Sequence, residues 1–149
     1  MIRIIGMCCV LAFISCLGGG CDGGGERYSD VGSSLAPPSA GQGRVYFYRD
    51  SRADGLMVQP EIQLNHKHIG TSIPGDYFYM DLPPGAYVCV IPKMGDVDSH
   101  GCSHTLAFTL NANETRYIRT YPHYGASLED KATAMATLGN CFYSQNLPW

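Results

Sequence analysis

Long apolar runs, charge and tryptophan are all scarce in this chain. Its longest apolar run covers residues 4–17, short of the roughly 20 residues that a membrane-spanning helix needs. Charged residues make up 15% of the sequence, against roughly 25% in a typical globular protein, so Ser, Thr, Asn, Gly and Tyr must supply much of the polar surface. Ten Lys and Arg against thirteen Asp and Glu leave a net charge of −3. The basic residues form no cluster, which removes the electrostatic footprint of a nucleic-acid partner or of a polybasic membrane segment. No Gly-rich phosphate loop, nucleophile elbow or paired-carboxylate motif occurs. No enzyme class is indicated, and no cofactor is expected.

Turn formers are plentiful. Eighteen Gly and nine Pro in 149 residues, with 45% apolar residues, point to one small domain of short strands joined by many turns.

The N-terminus differs from the rest. Met1, Ile2 and Arg3 carry one positive charge ahead of the apolar run, the layout of an export signal. The run leads into Leu17-Gly18-Gly19-Gly20-Cys21. This resembles a lipobox, in which a cysteine preceded by small residues is diacylated before the signal is cut. Cys21 is the expected acylated residue; Cys16, after Phe13-Ile14-Ser15, is the alternative. A signal peptide is thus expected over 1–20, and a diacylglycerol on Cys21 would supply the two chains that stable anchoring requires. By resemblance to enterobacterial lipoproteins, Asp22 after Cys21 implies the inner membrane, whereas Leu17 after Cys16 would imply the outer. Residues 22–42 hold Gly-Gly-Gly, Ser-Ser and Pro-Pro and almost no apolar pattern, and are expected to form a flexible tether.

From residue 43 to 149 the pattern is that of a folded domain. Val45 and Phe47 fall on one face of a strand, Tyr46 and Tyr48 on the other. Ile62 and Leu64, then Phe78, Met80 and Leu82, then Leu106, Phe108 and Leu110 repeat this spacing of two. Asn65-His66-Lys67 reads as a hairpin tip. Residues 86–91 are almost continuously apolar and are expected at the centre of a sheet. About seven short strands separated by turn signals predict a mainly β protein, a small antiparallel β-sandwich. One short C-terminal helix is expected, capped by Ser127 with Asp130 three residues on, carrying Leu128, Met135 and Leu138 inward and ending at Gly139.

Residues 43–49 (Gly-Arg-Val-Tyr-Phe-Tyr-Arg), 62–70 (Ile-Gln-Leu-Asn-His-Lys-His-Ile-Gly), Tyr77-Phe78-Tyr79 and 82–87 (Leu-Pro-Pro-Gly-Ala-Tyr), in that order, resemble the domain-of-unknown-function 2846 family of small proteobacterial lipoproteins. The resemblance covers roughly residues 43–141 and departs at His66, where the family usually has Gly. It implies a small sandwich of the PEGA or transthyretin-like kind and no assigned activity.

Three cysteines, Cys89, Cys102 and Cys141, remain after Cys21. An exported domain can oxidise them. A Cys102–Cys141 bridge would staple the helix to the sheet across a loop of about 40 residues, worth about 2–4 kcal/mol; Cys89–Cys141 is the alternative, and no bridge a third. Asp96, Asp98, His100, Cys102 and His104 alternate at spacing two. They read either as a solvated loop or as a site for Zn or Cu through Asp98, His100 and His104. A Cys102 nucleophile between two histidines would need an oriented base that spacing does not reveal. His66 and His68 form a weaker metal candidate, since a hairpin tip would turn their rings apart. Tyr46, Tyr48, Tyr77, Tyr79 and Tyr87 either form an outward stripe for a partner or glycan, or fill a half-covered second face of the sheet. The expectation is therefore a non-catalytic interaction or structural module in the cell envelope, lipid-anchored to the inner or outer membrane and facing the periplasm. Its expected partners are the membrane and an envelope protein, and a small-ligand or metal-binding domain using the 96–104 loop is the alternative.

Overall fold

Every residue of the first strand, β1 (Gly43–Tyr48), is buried, so both of its faces are covered. The computed structural model describes residues 25–52, 55–92, 104–122 and 125–144, and it shows what covers each face.

β1 is the middle strand of a five-stranded sheet. Its neighbours are β4 (Asp76–Leu82) on one side and β7 (Thr115–Tyr121) on the other, with β9 (Phe142–Tyr143) beyond β4 and β8 (Gly125–Glu129) beyond β7. A second sheet of four strands holds β3 (Lys67–Thr71), β2 (Glu61–Leu64), β5 (Gly85–Ile91) and β6 (His104–Leu110), in that order and all antiparallel. The seven strands expected from the sequence are present at the expected places. β5, read as central, is indeed an interior strand.

The first sheet is not purely antiparallel. β1 pairs with β4 antiparallel but with β7 parallel, and β4 pairs with β9 parallel. A parallel neighbour needs a long crossover, and here the whole second sheet lies between β1 and β7 in the chain.

Alternation sorts β1, β4 and β7 into two cores. Val45, Phe47, Phe78 and Ile118 face the second sheet and meet Ile62, Leu64, Cys89, Ile91, Phe108 and Leu110. Phe47 and Phe78, paired across β1 and β4, stack with ring centroids 5.1 Å apart. Gly70 is required beside them, because a Cβ there would lie 2.8 Å from the Phe78 ring. The Asn65–His66 tip adopts φ of 48° and 66°, the two positive values of a type I′ hairpin. Asn65 also accepts a bond from the Val88 amide, which helps the turn form with His66 at its second position.

On the opposite face of the first sheet, Tyr46, Tyr48, Tyr77 and Tyr117 form a second core with Ala134, Leu138 and Cys141. These tyrosines are at most 7% exposed, so they do not form an outward stripe. Tyr87 is not outward either: it lies against the first core, stacked on Phe108 at 5.6 Å.

Two helices cover the tyrosines, α1 (Tyr28–Val31) and α2 (Lys131–Leu138). The N-cap of α2 is Asp130, not Ser127; its carboxylate accepts from the Ala132 and Thr133 amides. Ser127 and Leu128 are instead in β8, paired with Arg119 and Ile118 of β7. Sheet pairing there outweighs the capping signal.

The described part of the expected tether is not free. The Tyr28 amide donates to Cys141 O at 2.9 Å, the Ser29 amide to Gly139 O, and Gly25 and Glu26 exchange backbone bonds with Tyr143. The physical reason is aromatic: Tyr28 meets Tyr46 and Tyr77 edge-on at 5.4 and 5.3 Å, the geometry favoured by ring quadrupoles. Arg44 fastens the segment further on. Its guanidinium grips Asp81 with two bonds of 2.6 and 2.8 Å, lies over the Tyr79 ring, and donates to Ala36 O.

Candidate functional site

A broad concavity lies where the N-terminal segment crosses the tyrosine layer. It is an open groove of about 410 Å³ lined by Gly25, Glu26, Val31, Leu35, Tyr77, Tyr79 and Tyr143. Tyr77 and Tyr79 stand two apart on β4 and so share its outer face. Tyr143 comes from β9, the edge strand, with its ring 5.6 Å from Tyr77 and 6.0 Å from Tyr79. Val31 from α1 and Leu35 beyond it close the other wall. The groove offers ring faces, aliphatic carbon and one exposed carboxylate, Glu26.

The Tyr77 and Tyr143 hydroxyls of the groove stay protonated at neutral pH. Burial, reinforced by Tyr46 and the neighbouring rings, pushes Tyr77 up to about 12. Burial, then Tyr79, raises Tyr143 as well. Such a surface can hold an apolar or interfacial group. It contains no paired nucleophile and base.

A smaller hollow of about 40 Å³ lies between Asp50, Ser51, Arg52, Gly75 and the end of α2, with Cys141 at its floor. The Cys141 thiol donates to Arg49 O and Thr137 O at 3.5 Å, and burial pushes it up to about 12. Cys89, in the first core, is likewise raised to about 12 by burial. A thiol held protonated is neither a nucleophile nor a ready metal ligand.

Cys141 and Cys89 are both free, so the Cys89–Cys141 bridge does not form; the two residues belong to different cores on opposite faces of the first sheet. The bridge expected from Cys141 to Cys102 is not present at Cys141 either, and Cys102 lies outside the described residues. So do Cys16, Cys21, Asp96, Asp98 and His100. His104 opens β6 opposite Ile91. At the hairpin, His66 occupies the turn and the His68 ring Nε2 sits 2.8 Å from Gly70 O. No cluster of three metal-ligating side chains occurs among the described residues.

The remaining charged groups tie the framework together. Tyr48 donates to Glu129, and Arg119 reaches both Glu129 and Asp50. Buried Arg49 donates to the carbonyls of Gly55, Val58 and Ser72, holding the chain between β1 and β2 against the sandwich.

The sequence does not mark the groove as a site, because α1 lies inside the Gly-, Ser- and Pro-containing stretch 22–42. Tyr28, Val31 and Leu35, spaced three and four apart, carried the helical signal.

A family model described as "Protein of unknown function (DUF2846)" matches residues 39–132, from just before β1 into the first turn of α2. No curated protein matches the chain.

Proposed function

Because the chain belongs to the DUF2846 family, whose description carries no activity, we propose a function from its own chemistry: a lipid-anchored module of the bacterial cell envelope that acts by contact rather than catalysis. The observation that carries this reading is the run of residues 4–17 leading to small residues and Cys21, directly ahead of a sandwich whose first described residue is Gly25. Export followed by diacylation of Cys21 accounts for both the apolar run and its abrupt end.

The chemistry of the described residues supports contact as the mode of action. Cys89 and Cys141 are protonated and enclosed. Arg44, Arg119, Asp81 and Glu129 are engaged in ion pairs or hydrogen bonds that hold strands together. The outer face of the second sheet is nearly free of charge on its two adjacent strands: Ala86, Val88 and Val90 of β5 pair with Thr109, Ala107 and Thr105 of β6. Flat surfaces of small residues suit packing against another surface better than enclosing a substrate.

The test is the intact mass of the chain extracted from membranes, with and without reduction and alkylation. A mass for residues 21–149 plus diacylglycerol supports the reading. An unlipidated chain contradicts it, as would stoichiometric Zn or Cu that is lost on His100→Ala.

A further inference from the structure

Resting on acylation of Cys21, we propose that the sandwich lies against the bilayer with the Tyr77–Tyr79–Tyr143 groove and the β9 edge turned to the lipid headgroups, while the outer face of the second sheet points away. A spacer of 21 residues would let the domain stand clear of the membrane. The structure leaves far less, because Gly25 and Glu26 are already bonded to Tyr143. Four residue steps separate Cys21 from Gly25, and a fully extended chain covers at most about 14 Å in that distance.

The part of the domain held at that short range has interfacial chemistry. Gly25 and Glu26 form one rim of the groove, whose walls are tyrosine rings and the aliphatic side chains of Val31 and Leu35. On the same β9 edge, with its side chain on the other face of the strand from Tyr143, Phe142 pairs with Arg27 as the strand bridge and lies 4.9 Å from its guanidinium. Phe142 is 37% exposed, so its ring is open to a surface laid against this edge. Tyrosine and other aromatic rings favour the headgroup level, where an apolar body meets a wet edge, and an arginine there meets phosphate. Glu26 is the one carboxylate lining the groove and opposes an anionic surface, so the attraction comes from the rings and Arg27. The opposite face, with Ala86, Val88, Ala107 and Thr109, is left for a partner in the periplasm.

The experiment uses the full acylated chain in phosphatidylethanolamine–phosphatidylglycerol vesicles containing bromine-labelled lipid. Trp149→Phe removes the native tryptophan. A single tryptophan is then introduced at exposed positions near the groove, by Glu26→Trp or Phe142→Trp, or on the far sheet, by Val88→Trp or Ala107→Trp. The expected result is several-fold stronger quenching in both groove-side variants than in both far-side variants. Equal quenching in the two pairs, with the diacylated mass starting at Cys21, overturns this inference and leaves the lipoprotein reading standing. A mass without lipid overturns the reading and the inference together, whereas a lipidated mass starting at Cys16 lengthens the link to Gly25 and overturns the inference alone.

Discussion

The two cores of this molecule share three strands and differ in almost everything else. Between the sheets, Val45, Phe47, Phe78 and Ile118 are enclosed by another sheet, and the core is aliphatic and phenylalanine-rich. On the other side of the same strands, Tyr46, Tyr77 and Tyr117 are enclosed by an eight-residue helix, a four-residue helix and the chain leading into it. A sheet covers a face continuously, and dry side chains suffice. Two short helices leave gaps, and residues with an apolar ring and a polar tip tolerate them. The tyrosine layer binds residues 25–35 and 131–144 to the sandwich; the inter-sheet core makes the sandwich.

That contrast predicts unequal consequences. Phe47→Ala removes a fully buried ring from the stacked pair and should lower stability by about 3–5 kcal/mol. Denaturant unfolding should show it as a shift of the whole transition. Leu138→Ala, in the tyrosine layer, should cost about 2–3 kcal/mol, the lower part of the range for such truncations. Its hydrogen exchange should speed up in α2 and residues 25–35 while β2 and β5 stay protected. Loss of protection in both sheets alike would dissolve the distinction between the cores.

Alkaline titration separates the cores by chemistry. The Tyr28, Tyr48, Tyr77 and Tyr117 hydroxyls are all raised above the ordinary tyrosine value, first by burial. A raised pKa means the native state keeps its protons longer than the unfolded chain, so these groups add stability that is complete below pH 10 and is lost as pH rises through their folded values. The melting temperature should therefore fall from about pH 10 upward, with the thiols of Cys89 and Cys141, also raised by burial, adding to the fall. Tyr77→Phe should make the fall shallower. The smallest effect expected is that of Asp130→Ala, which removes the N-cap of α2. Because the Thr133 hydroxyl and amide hold the Asp130 carboxyl below its usual range, the cap's contribution is present above the unfolded carboxyl pKa and is lost on acidification. It should appear as faster exchange at the Ala132 and Thr133 amides alone.

The strands of the sandwich were legible because burial on one side writes a period of two into the sequence, as in Phe78, Met80 and Leu82. The type I′ tip was legible in Asn65. What escaped was whatever depended on the second face. Tyr is compatible with water and with a core, so Tyr46 and Tyr77 alone could not say which they met. α1 was hidden by the glycine, serine and proline around it, although Tyr28, Val31 and Leu35 hold its spacing. β9 escaped because it forms only by pairing with a distant strand, Tyr143 opposite Tyr77, and β8 because Ser127 and Asp130 carry a capping signal although Ser127 pairs with Arg119 of the neighbouring β7. The groove lies at the meeting of those unread elements and was lost with them.

The measurement that bears most directly on this account is hydrogen exchange at the Tyr28 and Ser29 amides of the full chain. These donate to Cys141 O and Gly139 O, so they should exchange slowly, together with the outer strands of the first sheet. Exchange at the rate of an unstructured peptide would mean that residues 25–42 are a tether after all, that the tyrosine layer is uncovered on that side, and that the proposed short link to a bilayer is lost.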